Sequence, residues 1–472
     1  MSRGSLVRHT ITGVAGTCVA GLCAALGVPA YAAGSAAPAA PASPAVAAAP
    51  ARWPARIAAV QHRRGPVTEV SRGCPGQNAE VEQAVDYPYV YETWIGCGGI
   101  GFARSADGGR TFGRAARVPG SGGSGFVRVG GRILPKSGWD PAIAVAPDGT
   151  VYVSYMIFRH GYDHPRVAVS RDHGASFARV AQVMPPARHR DNWGDRDFIA
   201  VAPDGTIYLT WDYGPSLRLP DANIVIQKSA DGGRRWSRIT PVSPGYPSHG
   251  GDVAGPLLAG AGGRIDVLLW VDHDPGLRGY ALPPGHDYFT SSADGGRTWS
   301  PPVAVGRPAG TDGSPFTTWI DADIAIDASG TLYATWDTQH PGGDIGWLSY
   351  STDGGRTWSP ARRVTPDHDQ AEHIMAVAGG RPGIAYVGWL TGGPFFGVPS
   401  PRPFSQYLRV FSVRRGWLSA PIRVSLRSGN GRVWPGDTIG ISLLPGRRVM
   451  LSWGSAVGGR VSQIWARQVR HP

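Results

Sequence analysis

The side chains most able to do chemistry are concentrated in Arg188 to Asp197, which reads RHRDNWGDRD. His189, Asp195 and Asp197 could exchange protons with a substrate, Arg190 and Arg196 could hold an anionic group, and Trp193 could stack on a sugar ring. Carboxylates close together take different roles, because the charge on one raises the pKa of the other and separates an acid from a base. Asp252, Asp321, Asp323 and Glu372 extend the set of candidate acids and bases, and His249 and His373 the set of candidate binding groups. This is the equipment of acid–base catalysis on a carbohydrate. The same groups could instead form a belt of ion pairs between structural units, since structural networks also gather charge. Histidine and carboxylate together could hold a divalent cation such as calcium, although no zinc-type spacing fixes the ligands and no cofactor is required.

What positions these residues is an internal repeat. SADGGRTF begins at Ser105, SRDHGASF at Ser170, SADGGRRW at Ser229, SADGGRTW at Ser292 and STDGGRTW at Ser351, at spacings of 65, 59, 63 and 59 residues. Each copy has the chemistry of a tight turn: an aspartate to accept amide hydrogens, glycines for positive φ, and a closing aromatic anchor. Asp107, Asp172, Asp231, Asp294 and Asp353 are therefore assigned to structure. A two-strand hairpin precedes each copy, as in FIAVAPDGTIYLTW after Asp197, where alternating apolar residues flank a Pro-Asp-Gly-Thr turn. Weaker hairpins at 80–94, 252–270, 372–389 and 437–453 bring the number to seven. A third strand, the box and a short fourth strand such as 302–305 or 362–365 complete each unit.

Four-stranded antiparallel units repeated along the chain predict an all-β fold, a β-propeller of seven blades, with six as the alternative. The seventh unit stops after its third strand, SQIWARQV. PVTEVS at 66–71 resembles a fourth strand, so an N-terminal strand is expected to close the last blade. Strand direction then places the starts of the first strands, each with a nearby acid (Glu80, Asp140, Asp197, Asp252, Asp321, Glu372 and Asp437), on one face around the channel. Most histidines, His164 among them, are expected in the loops of that face. Trp139, Trp193, Trp319 and Trp434 recur just before first strands, for inter-blade packing or for sugar stacking.

The boxes resemble the Asp-box, or BNR, repeat of the sialidase-like superfamily, and the pattern is similar to that of secreted actinobacterial sialidase-like propellers. The resemblance implies a glycan-active protein, foremost a glycoside hydrolase, with a polysaccharide lyase or a non-catalytic glycan- or protein-binding propeller as alternatives. It assigns no nucleophile here: the nearest run to the sialidase Phe-Arg-Ile-Pro signature, Arg132 to Pro135, follows the first box instead of preceding it.

Composition agrees. Gly 68 and Pro 42 with only 17% charged residues exclude coiled coils and helical bundles and favour short strands and turns. The formal charge of +12 comes almost wholly from arginine, since Lys136 and Lys228 are the only lysines. The arginines are scattered among turns without a basic run, so they read as solvated surface and not as a nucleic-acid site. Residues 1–32, with Arg3, Arg8, an apolar stretch from Ile11 to Leu26 and Ala30-Tyr31-Ala32, read as a secretory signal, and 33–52 as an Ala/Pro tether. Residues 53–472 form one domain, expected to be a secreted, extracellular monomer without a membrane span, in which Cys74 and Cys97 pair as a disulfide.

Overall fold

The computed structural model describes residues 63–129, 132–159, 162–184, 193–214, 223–242, 252–271, 286–306, 322–338, 345–365, 372–391 and 402–470. The segments expected to be a signal, 1–32, and a tether, 33–52, lie outside the described residues. The chain is all-β, with seven antiparallel blades following one another around a ring. Blade 1 runs from its innermost strand, Ala79–Asp86, through Tyr89–Gly96 and Gly99–Ser105 to Ala116–Arg117. The innermost strands of blades 2 to 7 are Trp139–Val145, Trp193–Val201, Asp252–Ala259, Asp323–Ile326, Glu372–Gly379 and Gly440–Leu444. The N-terminal strand Arg63–Glu69 pairs with Gln463–Arg470 and completes blade 7, as the sequence predicts.

The fourth strands are shorter than their sequence patterns. In blades 1, 3, 4 and 5 they are two residues long and pair with the third strand through two residues only. In blade 6, where the box has lost its aspartate, two short strands, Gly416–Trp417 and Ile422–Arg423, share that role against Ser405–Ser412. An additional hairpin, Phe126–Val129 with Arg132–Pro135, is inserted between blades 1 and 2.

The core is divided. Seven apolar clusters fill the seven blade-to-blade interfaces, one in each. Alternation explains this: each strand sends successive side chains to opposite faces of its blade, and both faces meet a neighbour. Tryptophans near the ends of second strands, including Trp94, Trp211, Trp389 and Trp453, are among the largest fully buried side chains.

The boxes carry out their turn role. Asp107 accepts from the amides of Arg110 and Thr111 at 2.9 and 3.0 Å and from the Thr111 hydroxyl at 2.7 Å, while Ser105 Oγ receives the Gly109 amide at 2.8 Å. Burial, the largest single influence on Asp107, would raise its pKa, but the Thr111, Ser105 and amide donors together outweigh it and bring Asp107 down to about 2. Asp172, Asp294 and Asp353 repeat the arrangement, and Asp231 keeps it with backbone donors because Arg235 stands where the others have a hydroxyl. Cys74 and Cys97 form the expected disulfide.

Candidate functional site

Antiparallel order gives the ring two faces. The mouth carries the starts of innermost strands and the loops between second and third strands; the underside carries the first hairpin turns and the boxes. At the mouth, three blades share an unusual device. Innermost strands of blades 4 and 6 carry register breaks at Ala254/Leu257 and Glu372/Ile374, and those of blades 1, 2 and 3 open with β-bulges at Ala79/Val81, Trp139/Ala142 and Asp195/Phe198 that differ from them in one respect. Within each bulge a non-glycine residue is left-handed: Glu80 at φ 59°, Asp140 at φ 44° and Arg196 at φ 47°. Such backbone costs about 1–3 kcal/mol per residue and persists where the surroundings hold a side chain in a required place.

These three side chains meet. Glu80 is 2% exposed, and burial, the charges of Asp140 and Asp437 and a hydrogen bond shared with Asp140 push its pKa well above the carboxylate range, against a smaller pull from Arg196. Glu80 is thus the protonated partner and Asp140 the acceptor. Arg196 is 6% exposed; burial alone would lower its pKa, but Asp140, Asp437, Glu80 and Asp195 together raise it. Its backbone N–H donates to Asp140 Oδ2 at 3.1 Å. Two indoles fix the flanking acids: Trp139 Nε1 donates to Asp195 Oδ1 at 2.9 Å, and Trp434 Nε1 to Asp437 Oδ1 at 2.7 Å. Gly436, at φ 110°, lies so close to Glu80 that a Cβ there would sit 1.8 Å from the Glu80 nitrogen. Blades 7, 1, 2 and 3 therefore contribute to one cluster.

The sequence-derived candidates divide. Asp195, Arg196 and Asp197 are brought together with Asp140. Asp197 is 3% exposed, and burial, with the charges of Asp140 and Asp195, raises its pKa well above the carboxylate range. Asp323 stands apart in blade 5, where its carboxylate accepts from the amides of Ile324 and Val377 at 2.8 and 2.7 Å and burial pushes it up to about 7. Trp193, Asp252, Glu372 and His373 lie in described strands, but their side chains, with His189, Arg190, His249 and Asp321, fall outside the described residues. His164 is not in a loop. It is fully buried in the third strand of blade 2, Tyr162–Ser170, which pairs with the second strand from its first residue, Tyr162 opposite Arg159. Trp139 is 5% exposed and anchors Asp195. Among the described residues no three His, Cys, Asp or Glu side chains group as metal ligands.

Several buried acids escaped the sequence reading, Glu82 and Glu92 among them. Glu82 is pushed up to about 8 by burial and by Asp323 across the channel. Glu92, fully buried and bonded at 2.7 Å by Gln83 Nε2, is raised by burial to about 8. The available signal was a carboxylate inside an otherwise apolar run, VYETW.

Residues 349–360, the fifth box, match the BNR/Asp-box repeat family. None of the curated proteins matches the chain. Its fold is similar to that of a polysaccharide lyase described as an ulvan lyase, at 14% identity over 85% of this chain and 95% of that one, with a TM-score of 0.55. The polysaccharide lyase Uly1 aligns at 12% identity over 84% and 90%, with a TM-score of 0.52. A protein of unknown function from Dyadobacter fermentans aligns at 14% over 87% and 99%, with a TM-score of 0.50. The likeness is one of fold.

Proposed function

We propose that this protein is an exported, glycan-active propeller enzyme that hydrolyses glycosidic bonds at the mouth where blades 7, 1, 2 and 3 meet. The observation that carries the reading is the Glu80–Asp140 pair, two carboxyl groups sharing a hydrogen bond at strained bulge positions. Burial and neighbouring carboxylates keep the proton on Glu80, and its transfer through the shared hydrogen bond to Asp140, the more exposed member, delivers it to the glycosidic oxygen. Asp195 and Asp437, each held by an indole N–H, are the carboxylates available to activate water or to stabilise the oxocarbenium-like transition state. Arg196, already surrounded by four carboxylates, keeps this concentration of negative charge together. The Cys74–Cys97 disulfide supports an oxidising, extracellular destination.

Lyase chemistry is the second reading, favoured by the fold similarity to polysaccharide lyases. It needs a cation free to neutralise a uronate, and Arg196 is engaged with carboxylates of its own. The test is incubation with sialosides, neutral oligosaccharides and uronate polymers, following new reducing ends and the ultraviolet absorbance of unsaturated products. Hydrolysis gives reducing ends without absorbance. Asp140→Asn is expected to slow turnover by about 10²–10⁴-fold, the usual worth of a positioned proton donor. Unchanged turnover in that variant, or products that all absorb, would overturn the hydrolytic reading.

A further inference from the structure

The arginines that look scattered in sequence are collected by the fold. Each box lies on the underside, and each carries exposed arginine: Arg110, Arg171, Arg234, Arg297 and Arg356, with Arg415 in the altered box of blade 6. Counting the paired arginines of blades 3 and 6, these turns hold eight exposed arginines against five aspartates. Adjacent boxes are physically joined. Arg104 of blade 1 donates to the His173 carbonyl at 3.0 Å, Arg179 of blade 2 to Gly232 at 2.6 Å, Lys228 of blade 3 to Gly295 at 2.9 Å and Arg264 of blade 4 to Gly354 at 3.0 Å. The exposed arginines of blades 1 to 5 thus form a continuous arc. The box carboxylates are turned into their own loops, with both oxygens of Asp107, Asp172, Asp294 and Asp353 occupied by amide and hydroxyl donors.

We propose that this underside is a docking surface for an acidic polysaccharide, held by the arginine arc on the face opposite the mouth. Guanidinium groups pair with carboxylate and sulfate through two parallel hydrogen bonds, which lysine cannot reproduce. Half-buried Trp236, Trp299 and Trp358 close the boxes beside these arginines and offer apolar edges to sugar rings. Between blades 2 and 3 lies a depression of about 450 Å³ lined by Arg171, Arg234 and Tyr152 and by Asp148, Asp204 and Asp231, whose carboxylates accept from their own turn amides, a size suited to a saccharide unit. A flexible polysaccharide can follow an arc of turns. Duplex DNA, stiff over about 150 base pairs, would touch it along a single chord.

The test compares binding of the full chain to dextran sulfate, polygalacturonate, neutral dextran and duplex DNA over a range of salt concentrations. The underside variant Arg234→Gln/Arg297→Gln/Arg356→Gln is set against a mouth-face variant that removes equal charge, Arg427→Gln/Arg432→Gln/Arg460→Gln; all six positions are exposed. Binding to the two acidic polysaccharides but not to neutral dextran is expected. The underside variant should lose about tenfold in affinity and reduce the slope of log K against log salt by two to three, near one per cation removed. The mouth-face variant should bind as the parent does, and both should keep the parent thermal midpoint. Equal losses in the two variants would mean that only net charge matters, and tighter binding to duplex DNA would name a different partner; either result overturns the proposal. Because glycan hydrolysis is read at the mouth, its outcome is independent of this one.

Discussion

Lys228, one of two lysines in the chain, holds a blade interface together: its ammonium reaches from the third strand of blade 3 to the Gly295 carbonyl in the box of blade 4. The same duty recurs at the other interfaces. Arg104, Arg179 and Arg264 donate to boxes, Arg409 to the Val364 carbonyl, Arg467 to the Val424 carbonyl, and the Gln468 amide to Gly108. Lys228→Met is expected to lower unfolding free energy by about 1–2 kcal/mol, the range for a charged hydrogen bond lost at a partly buried site, measured by urea denaturation. An inter-blade belt was foreseen among the mouth acids, yet much of it lies below, made of cations meeting backbone carbonyls. No side-chain pattern announces a carbonyl acceptor, so sequence could not locate it. The mouth cluster was legible in part. The acids near strand starts were visible one by one, but that Glu80, Asp140 and Arg196 converge depends on bulges that turn each out of the strand alternation.

At the scale of elements, the segment between the N-terminal strand and blade 1 is tied twice. Asn78 accepts from the Trp94 indole at 2.8 Å and donates to Gln463 of blade 7 at 3.0 Å, while Cys74 is bonded to Cys97 at the end of the second strand. The disulfide closes a loop with a sequence separation of 23. Replacing both cysteines with serine should lower unfolding free energy by about 3 kcal/mol on loop entropy. The difference should vanish when the parent is measured under reducing conditions, and its persistence would place the effect in local packing. The strands themselves were readable, because alternation and Pro-Asp-Gly turns are local signals. Fourth strands were overestimated because their pairing with the third strand, two residues in blades 1, 3, 4 and 5, is a tertiary contact that the local pattern does not carry.

For the whole molecule, the two faces treat carboxylates in opposite ways. Glu92 and Asp287, 0% and 4% exposed, are raised to about 8 by burial, so the folded chain keeps protons that the unfolded chain releases near pH 4. Their contribution is complete below that pH and is lost as pH climbs through about 8. The box aspartates act in the reverse sense: Asp107, held near 2, stabilises the fold above pH 4 and ceases to as pH falls toward 2. The thermal midpoint should therefore be highest near pH 4–5 and decline toward pH 8. Glu92→Gln should flatten that decline by about 1.4 kcal/mol per pH unit, one proton's worth. An unchanged slope would show that Glu92 does not hold its proton in the native state.

The N-terminal strand of blade 7 has a consequence in time. Arg63–Glu69 is made before the other described strands and finds its partner, Gln463–Arg470, only after the six intervening blades exist. Contacts of such sequence separation are late and slow to form. Throughout synthesis the nascent chain is an open series of blades with both ends of the ring unjoined, and closure waits for the last residues to emerge.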